Sequence, residues 1–149
     1  MLSAVVSALH VLALGLGLAS VFLRGRALKG PLDDAGVSRV LAADNVWGVA
    51  ALLLIGTGLL RAFGGLEKGT QFYLASSLFW TKMTLFAAVL ILEVWPMLTF
   101  IRWRVRRGRG QSPDTAPARA LAVINHVEMA IVVVLVFVAS FMTRGFGLR

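Results

Sequence analysis

LSAVVSALHVLALGLGLASVFL, running from Leu2 to Leu23, holds His10 as its only ionisable side chain. A helix needs roughly 20 mostly apolar residues to cross about 30 Å of hydrocarbon, so this stretch is long enough to span a bilayer. It lacks the positive n-region and small-residue cleavage site of a signal peptide, and its apolar run exceeds an ordinary h-region. It therefore reads as a retained first helix. Three further segments obey the same rule. Asn45 to Leu60 is apolar throughout, edged by Asp44 and Arg61 with Ala62 and Phe63 beyond. Ala75 to Ile101 holds only Lys82 and Glu93, and Ala120 to Thr143 holds only His126 and Glu128. The alternating segments of about ten residues that build a membrane barrel are absent. The expected fold is all-α, an integral membrane four-helix bundle forming a single domain, with spans at 2–23, 44–63, 75–101 and 118–143.

Composition agrees. Of 149 residues, 58% are hydrophobic and only 15% charged, with a mean hydropathy of +0.84. Soluble domains are about a quarter charged, so this chain has too little polar surface to cover a water-soluble globule. The absence of cysteine excludes disulfides, thiolate metal sites, iron–sulfur clusters and covalently attached haem.

The net charge of +8 invites a nucleic-acid reading, but its distribution opposes one. Arg24, Arg26 and Lys29 fall in the first connection, read as Arg24 to Gly36, and Arg102, Arg104, Arg106, Arg107 and Arg109 begin the third. Glu67 and Lys68 cancel in the second. Basic residues in short loops stay cytoplasmic. Both termini are thus expected on the periplasmic or exterior side of a bacterial inner membrane, with the arginine run against anionic lipid and no nucleic-acid partner. Within the connections, Ser38 is expected to cap an amphipathic lead-in over Val37 to Ala43, and Gly64-Gly65 to close the second helix. The Gly/Pro/Ser stretch after Arg109 reads as the mobile linker, and Pro96 as a kink in the third span.

Helices in lipid associate through small residues and polar contacts. Ala13 with Gly17, Gly15 with Ala19, and the Gly48, Ala51, Gly56 and Gly58 set allow close approach, or leave room for a flat ligand. Trp80, Trp95, Trp103 and Tyr73 lie near span ends, where interfacial aromatics belong.

Ionisable groups inside a span cost about 2.5–3.5 kcal/mol each on insertion scales, which makes them functional candidates. They sort into two layers. His10 lies about eight residues into the first helix, roughly 12 Å deep at 1.5 Å per residue, and Lys82 sits at similar depth in the third, with Arg61 above them. Asp44, Glu93, Asn125, His126 and Glu128 form an inner layer, a polar or proton-handling cluster. Each has a plainer alternative. Asp44 would mark the aqueous mouth of helix two, Arg61 would snorkel to the interface, and Glu93 and Glu128 would pair with His126 or with loop arginines. One account of the outer pair is haem b, with imidazole as axial ligand and a slot lined by Ala13 and Gly17 on the His10 face. Burial would favour the neutral lysine that iron requires, and Arg61 would meet a propionate. The competing account has the Lys82 ammonium donating to a neutral His10 with no cofactor.

Two resemblances bear on this. Arg39-Val-Leu-Ala-Ala-Asp-Asn-Val-Trp-Gly48, Gly58-Leu-Leu-Arg-Ala-Phe-Gly-Gly-Leu-Glu-Lys-Gly69, and Phe79-Trp-Thr-Lys-Met83 with Glu93-Val-Trp-Pro96 resemble a family of small bacterial membrane proteins of unknown function, over nearly the whole chain. Ala8-Leu9-His10-Val11-Leu12-Ala13 and Phe79-Trp80-Thr81-Lys82 resemble two segments of the HemJ-type protoporphyrinogen oxidases. The latter resemblance implies haem b held by His10 and Lys82. Copper-resistance membrane proteins share the architecture, but methionine and histidine are too sparse here for a copper path. The expectation is a haem-b-binding membrane protein, a redox carrier or a distant porphyrinogen oxidase. The alternatives are a non-catalytic accessory subunit of a larger membrane complex and a small transporter built on the acidic layer, which four helices would form only with difficulty unless the protein is a homo-oligomer.

Overall fold

Gly30 and Pro31 end the first helix well beyond its apolar run. In the computed structural model, which describes residues 1–147, α1 spans Leu2–Lys29, α2 Asp34–Phe63, α3 Thr70–Ala75, α4 Ser77–Gly108 and α5 Ala118–Thr143. Four of these are long and apolar enough to cross a membrane. In hydrocarbon a helix satisfies its own backbone, which is why these apolar runs fold this way.

α1, α2 and α4 overrun the expected spans at the arginine-rich end, while α5 coincides with 118–143. Arg24, expected in a loop, lies inside α1. The expected lead-in over Val37 to Ala43 is continuous with α2, whose N-cap is Asp33 rather than Ser38: its carboxylate accepts from the Gly36 N–H at 2.7 Å. Asp33 wins because the chain leaving Pro31 reaches helical geometry three residues after it. Gly64 closes α2 as expected, its N–H donating to Leu60 O. α4 continues through Pro96 without a break.

Short connections make each helix antiparallel to the next. α1 packs on α2 and α5, α5 packs on α4, and α2 meets α4 only lightly; α1 and α4 face each other across the diagonal, with no Cα pair within 8 Å among the described residues. Three cores stack along the axis. Leu28, Val40, Phe100, Trp103 and Leu121 fill the arginine-rich end, Val21, Trp47, Val89 and Val132 the middle, and Ala62, Tyr73, Phe79 and Met142 the far end. The outer faces carry Val11, Leu52, Ile91 and Phe137 exposed, which suits a lipid environment rather than water. The start of α1 and the last described residues sit with the α2–α4 connection: Ser7 bonds Glu67 at 2.7 Å, Lys68 donates to Thr143 O at 2.7 Å, and Ser77 N–H donates to Gly147 O at 2.8 Å. This is the terminal end; the arginine-rich loops mark the basic end.

Candidate functional site

Near the basic end, Arg24 is fully buried and bonded to every other spanning helix. Guanidinium carries five N–H donors in a fixed fork, and each finds an acceptor. Nε donates to Asn125 Oδ1 at 2.8 Å, Nη1 to Asp44 Oδ1 at 3.0 Å and Glu93 Oε1 at 2.7 Å, and Nη2 to Glu93 Oε2 and Glu128 Oε2, each at 2.8 Å. The Glu93 contact is bidentate, the strong geometry for this pair. The Phe100 ring lies 5.6 Å from the guanidinium carbon, adding a cation–π contact. Asn125 is fixed in turn by donating to Val21 O at 2.8 Å. Gly25 makes this possible, since a Cβ there would fall 2.6 Å from Asn125 Nδ2. Arg104 completes the cluster, bonding Asp44 Oδ2 and Asn45 Oδ1 at 2.7 Å each. Two arginines thus face three carboxylates, and Glu128 Oε1 is buried without a donor among the described residues.

The inner layer comes together except for His126. Asp44 belongs to the cluster rather than marking an aqueous mouth. Glu93 and Glu128 pair with Arg24, not with His126, because His126 leaves the other side of α5. Its Nδ1 bonds Ala122 O one turn back, and its Nε2 meets Lys29 Nζ at 3.0 Å. A carbonyl only accepts, so Nδ1 bears the proton and Nε2 receives the lysine's.

The terminal-end cluster is built differently. Thr57 is buried and its hydroxyl donates to Leu53 O one turn back. A hydroxyl has one hydrogen, so Thr57 Oγ1 accepts from His10 Nδ1, 2.7 Å away. His10 is therefore the Nδ1–H tautomer with a lone pair on Nε2, and that nitrogen has no hydrogen-bond partner among the described residues. Lys82 is half-buried and likewise makes no hydrogen bond or ion pair there. Lys82, Arg61 and Glu67 lie close enough to act on the charge of His10.

Ala13 and Gly17 face α2. Ala13 is fully buried, and a Cβ on Gly17 would sit 3.2 Å from the Trp47 ring. Gly58 backs onto the imidazole, where a Cβ would lie 3.6 Å from His10 Cε1. These small residues bring α1 and α2 together and so set Thr57 against His10.

Arg61 is held by Glu67, at 2.7 Å from Nε to Oε1. Glu67 also accepts from Ser7 and, at 3.1 Å, from Tyr73 Oη. The hydrogen bond from Arg61 holds the Glu67 carboxyl down at about 2, against the opposing effect of its partial burial, with help from Ser7 and Tyr73. Burial, and then the Glu67 charge, push the Tyr73 hydroxyl up to about 12. Sequence reasoning treated Glu67 as cancelled by its neighbour Lys68, and it is instead the anchor of this end.

The chief omission was Arg24, counted as a loop charge. A signal was available: Ala13, Gly17, Val21, Arg24 and Leu28 recur at three- and four-residue spacing, one continuous inward stripe. Among the described residues no three His, Cys, Asp or Glu side chains converge on a metal position.

No curated protein and no solved structure matches the chain, and the resemblance to the HemJ-type oxidases finds no support there. A family model does match, over residues 2–147. The stripe of small residues, the four apolar spans and that near-complete match agree: the chain belongs to the family described as predicted membrane protein DUF2214.

Proposed function

We propose that this multi-pass membrane protein binds haem b at the terminal end, between α1 and α4, and serves as a redox carrier or a porphyrinogen-oxidising enzyme. The observation carrying this reading is the His10 tautomer. A histidine that binds metal through one nitrogen almost always has the other fixed by a hydrogen bond. Thr57 supplies that bond, and the Nε2 lone pair is left without a protein partner among the described residues. Lys82 supports it as the opposite ligand, since its amine has no partner there either. Bound haem would supply one-electron chemistry, and His10 and Lys82 would hold it while Arg61 balances its negative groups. The Ala13 and Gly17 face is taken by α2, so the ring would lie on the α4 side of His10.

The test is the visible spectrum of protein purified from haem-replete cells. A Soret band is expected, lost in His10→Ala, shifted in Lys82→Met and weakened in Thr57→Val. A colourless wild-type protein, or a band unchanged in His10→Ala, sinks the reading.

The orientation belongs to the same proposal. The basic end faces the cytoplasm of a bacterial inner membrane, because Arg102, Arg106 and Arg109 remain there even with Arg24 withdrawn into the bundle. The chain has no cysteine, so single cysteines report cleanly. Gly108→Cys should resist an impermeant thiol reagent in intact cells, and Gly65→Cys should react; the reverse pattern inverts the topology.

A further inference from the structure

The basic end also carries charges that the cluster leaves unused. Arg104 and Arg107 are neutralised by Asp44 and Asp34, each at 2.7 Å. Lys29 and Arg119 have no acidic partner among the described residues. Lys29 reaches only His126 Nε2, and Arg119 makes no ion pair or side-chain hydrogen bond there. All three side chains line one groove between α1 and α5, of about 650 Å³. The same groove exposes Val123 at 60% and Val127 at 45%, and is lined deeper in by Leu28 and Ala122.

α5 begins in this groove without an acid in its first turn and without a side-chain cap on Pro117. The positive end of the α5 dipole lies at the same end of the bundle as the two cations. The His126 tautomer matters too. Because Nε2 accepts from Lys29, the lysine is held over the groove while its remaining two N–H donors stay free.

From this charge complementarity we infer that the α1–α5 groove is a binding site for an anionic phospholipid. Its phosphate lies between Lys29 and Arg119, and one acyl chain runs along Val123 and Val127. Basic recesses between spanning helices at a membrane surface are suited to such headgroups, and the apolar wall distinguishes a lipid from a soluble anion. The site is separate from His10 and Lys82 and stands whether or not haem is bound.

The experiment uses full-length protein in a neutral detergent, titrated with phosphatidylglycerol, with phosphatidylcholine of the same chains, and with inorganic phosphate. Binding is read by native mass spectrometry and by the rise in melting temperature. Phosphatidylglycerol is expected to bind and stabilise, and the other two probes to do so far less. In K29Q/R119Q its affinity should fall about thirtyfold, as for two lipid-facing cations of ordinary strength. In R107Q, whose arginine is already paired with Asp34, affinity should hold. Equal stabilisation by phosphatidylcholine would overturn the proposal, as would inorganic phosphate sufficing alone. So would equal losses in R107Q and the double variant, because general surface charge would then account for the binding.

Discussion

The two polar clusters of this bundle are opposites in how they are satisfied. Around Arg24 every N–H has an acceptor, and the donors and acceptors come from all four spanning helices. Around His10 one nitrogen is fixed by Thr57, while the other, and the amine of Lys82, find no protein partner among the described residues. The first arrangement is architecture, with Glu128 Oε1 its one atom buried without a donor among the described residues; in the second, on the proposed reading, the free nitrogens would hold a ligand. Depth alone does not separate them. Both sets of residues are unusual for a membrane interior, and only the account of each donor and acceptor tells structure from site.

Removing Arg24 should break the comparison most severely. Arg24→Met strands Asp44, Glu93 and Glu128 in a buried space with only Arg104 to balance them. Losing one partner of a buried ion pair costs roughly 3–5 kcal/mol, so the expected result is aggregation or a collapsed melting temperature in detergent. In haem-free protein, His10→Ala removes one neutral hydrogen bond, worth about 1 kcal/mol, and should melt close to wild type. If the two variants melted alike, the division into architecture and site would fail.

Gly25→Ala sharpens the point with a single methyl group. The added Cβ would displace the Asn125 amide that holds Arg24 Nε, at a cost of roughly 1–3 kcal/mol. Thermal melting checks it, with Gly15→Ala as control, since nothing lies within 4 Å of a Cβ there.

The smallest effect is a pH dependence confined to the terminal end. Glu67 titrates at about 2 in the folded protein, below the ordinary 4.5, so its contribution is complete above pH 4.5 and is lost as pH falls from there toward 2. Tyr73 is raised from 10 to about 12, so its contribution is complete below pH 10 and declines as pH rises toward 12. Melting curves should show Glu67→Gln flattening the acid limb and lessening the alkaline slope without abolishing it, since the burial of Tyr73 remains. An acid limb unchanged by that substitution would remove Glu67 as the anchor.

How much of this was legible in the sequence depended on distance along the chain. The spans follow from local hydropathy, and the depth of Asp44, Glu93, Asn125 and Glu128 follows from counting residues. Arg24 was not read because a basic residue following an apolar run resembles a loop anchor, whereas the helix actually ends at Gly30-Pro31. His126 was grouped with the acids by depth, and helical phase sends it to the opposite side of α5. α3 had no local signature. Its six residues are organised by Tyr73 reaching Glu67, a contact fixed only once the α2–α4 connection folds back onto Ser7.

The Arg24–Asp44 bond also has a meaning for biosynthesis. It joins α1 to α2, which precede α4 and α5 in the chain, so the buried guanidinium can enter the bilayer with a counter-ion of its own. Glu93 and Glu128 come later, on the second hairpin, and act as a latch that locks the two halves together. Asp44→Ala should therefore lower the insertion efficiency of nascent α1–α2 in a translocation assay, while Glu128→Ala should leave that step untouched; equal effects would mean that the hairpins do not enter separately.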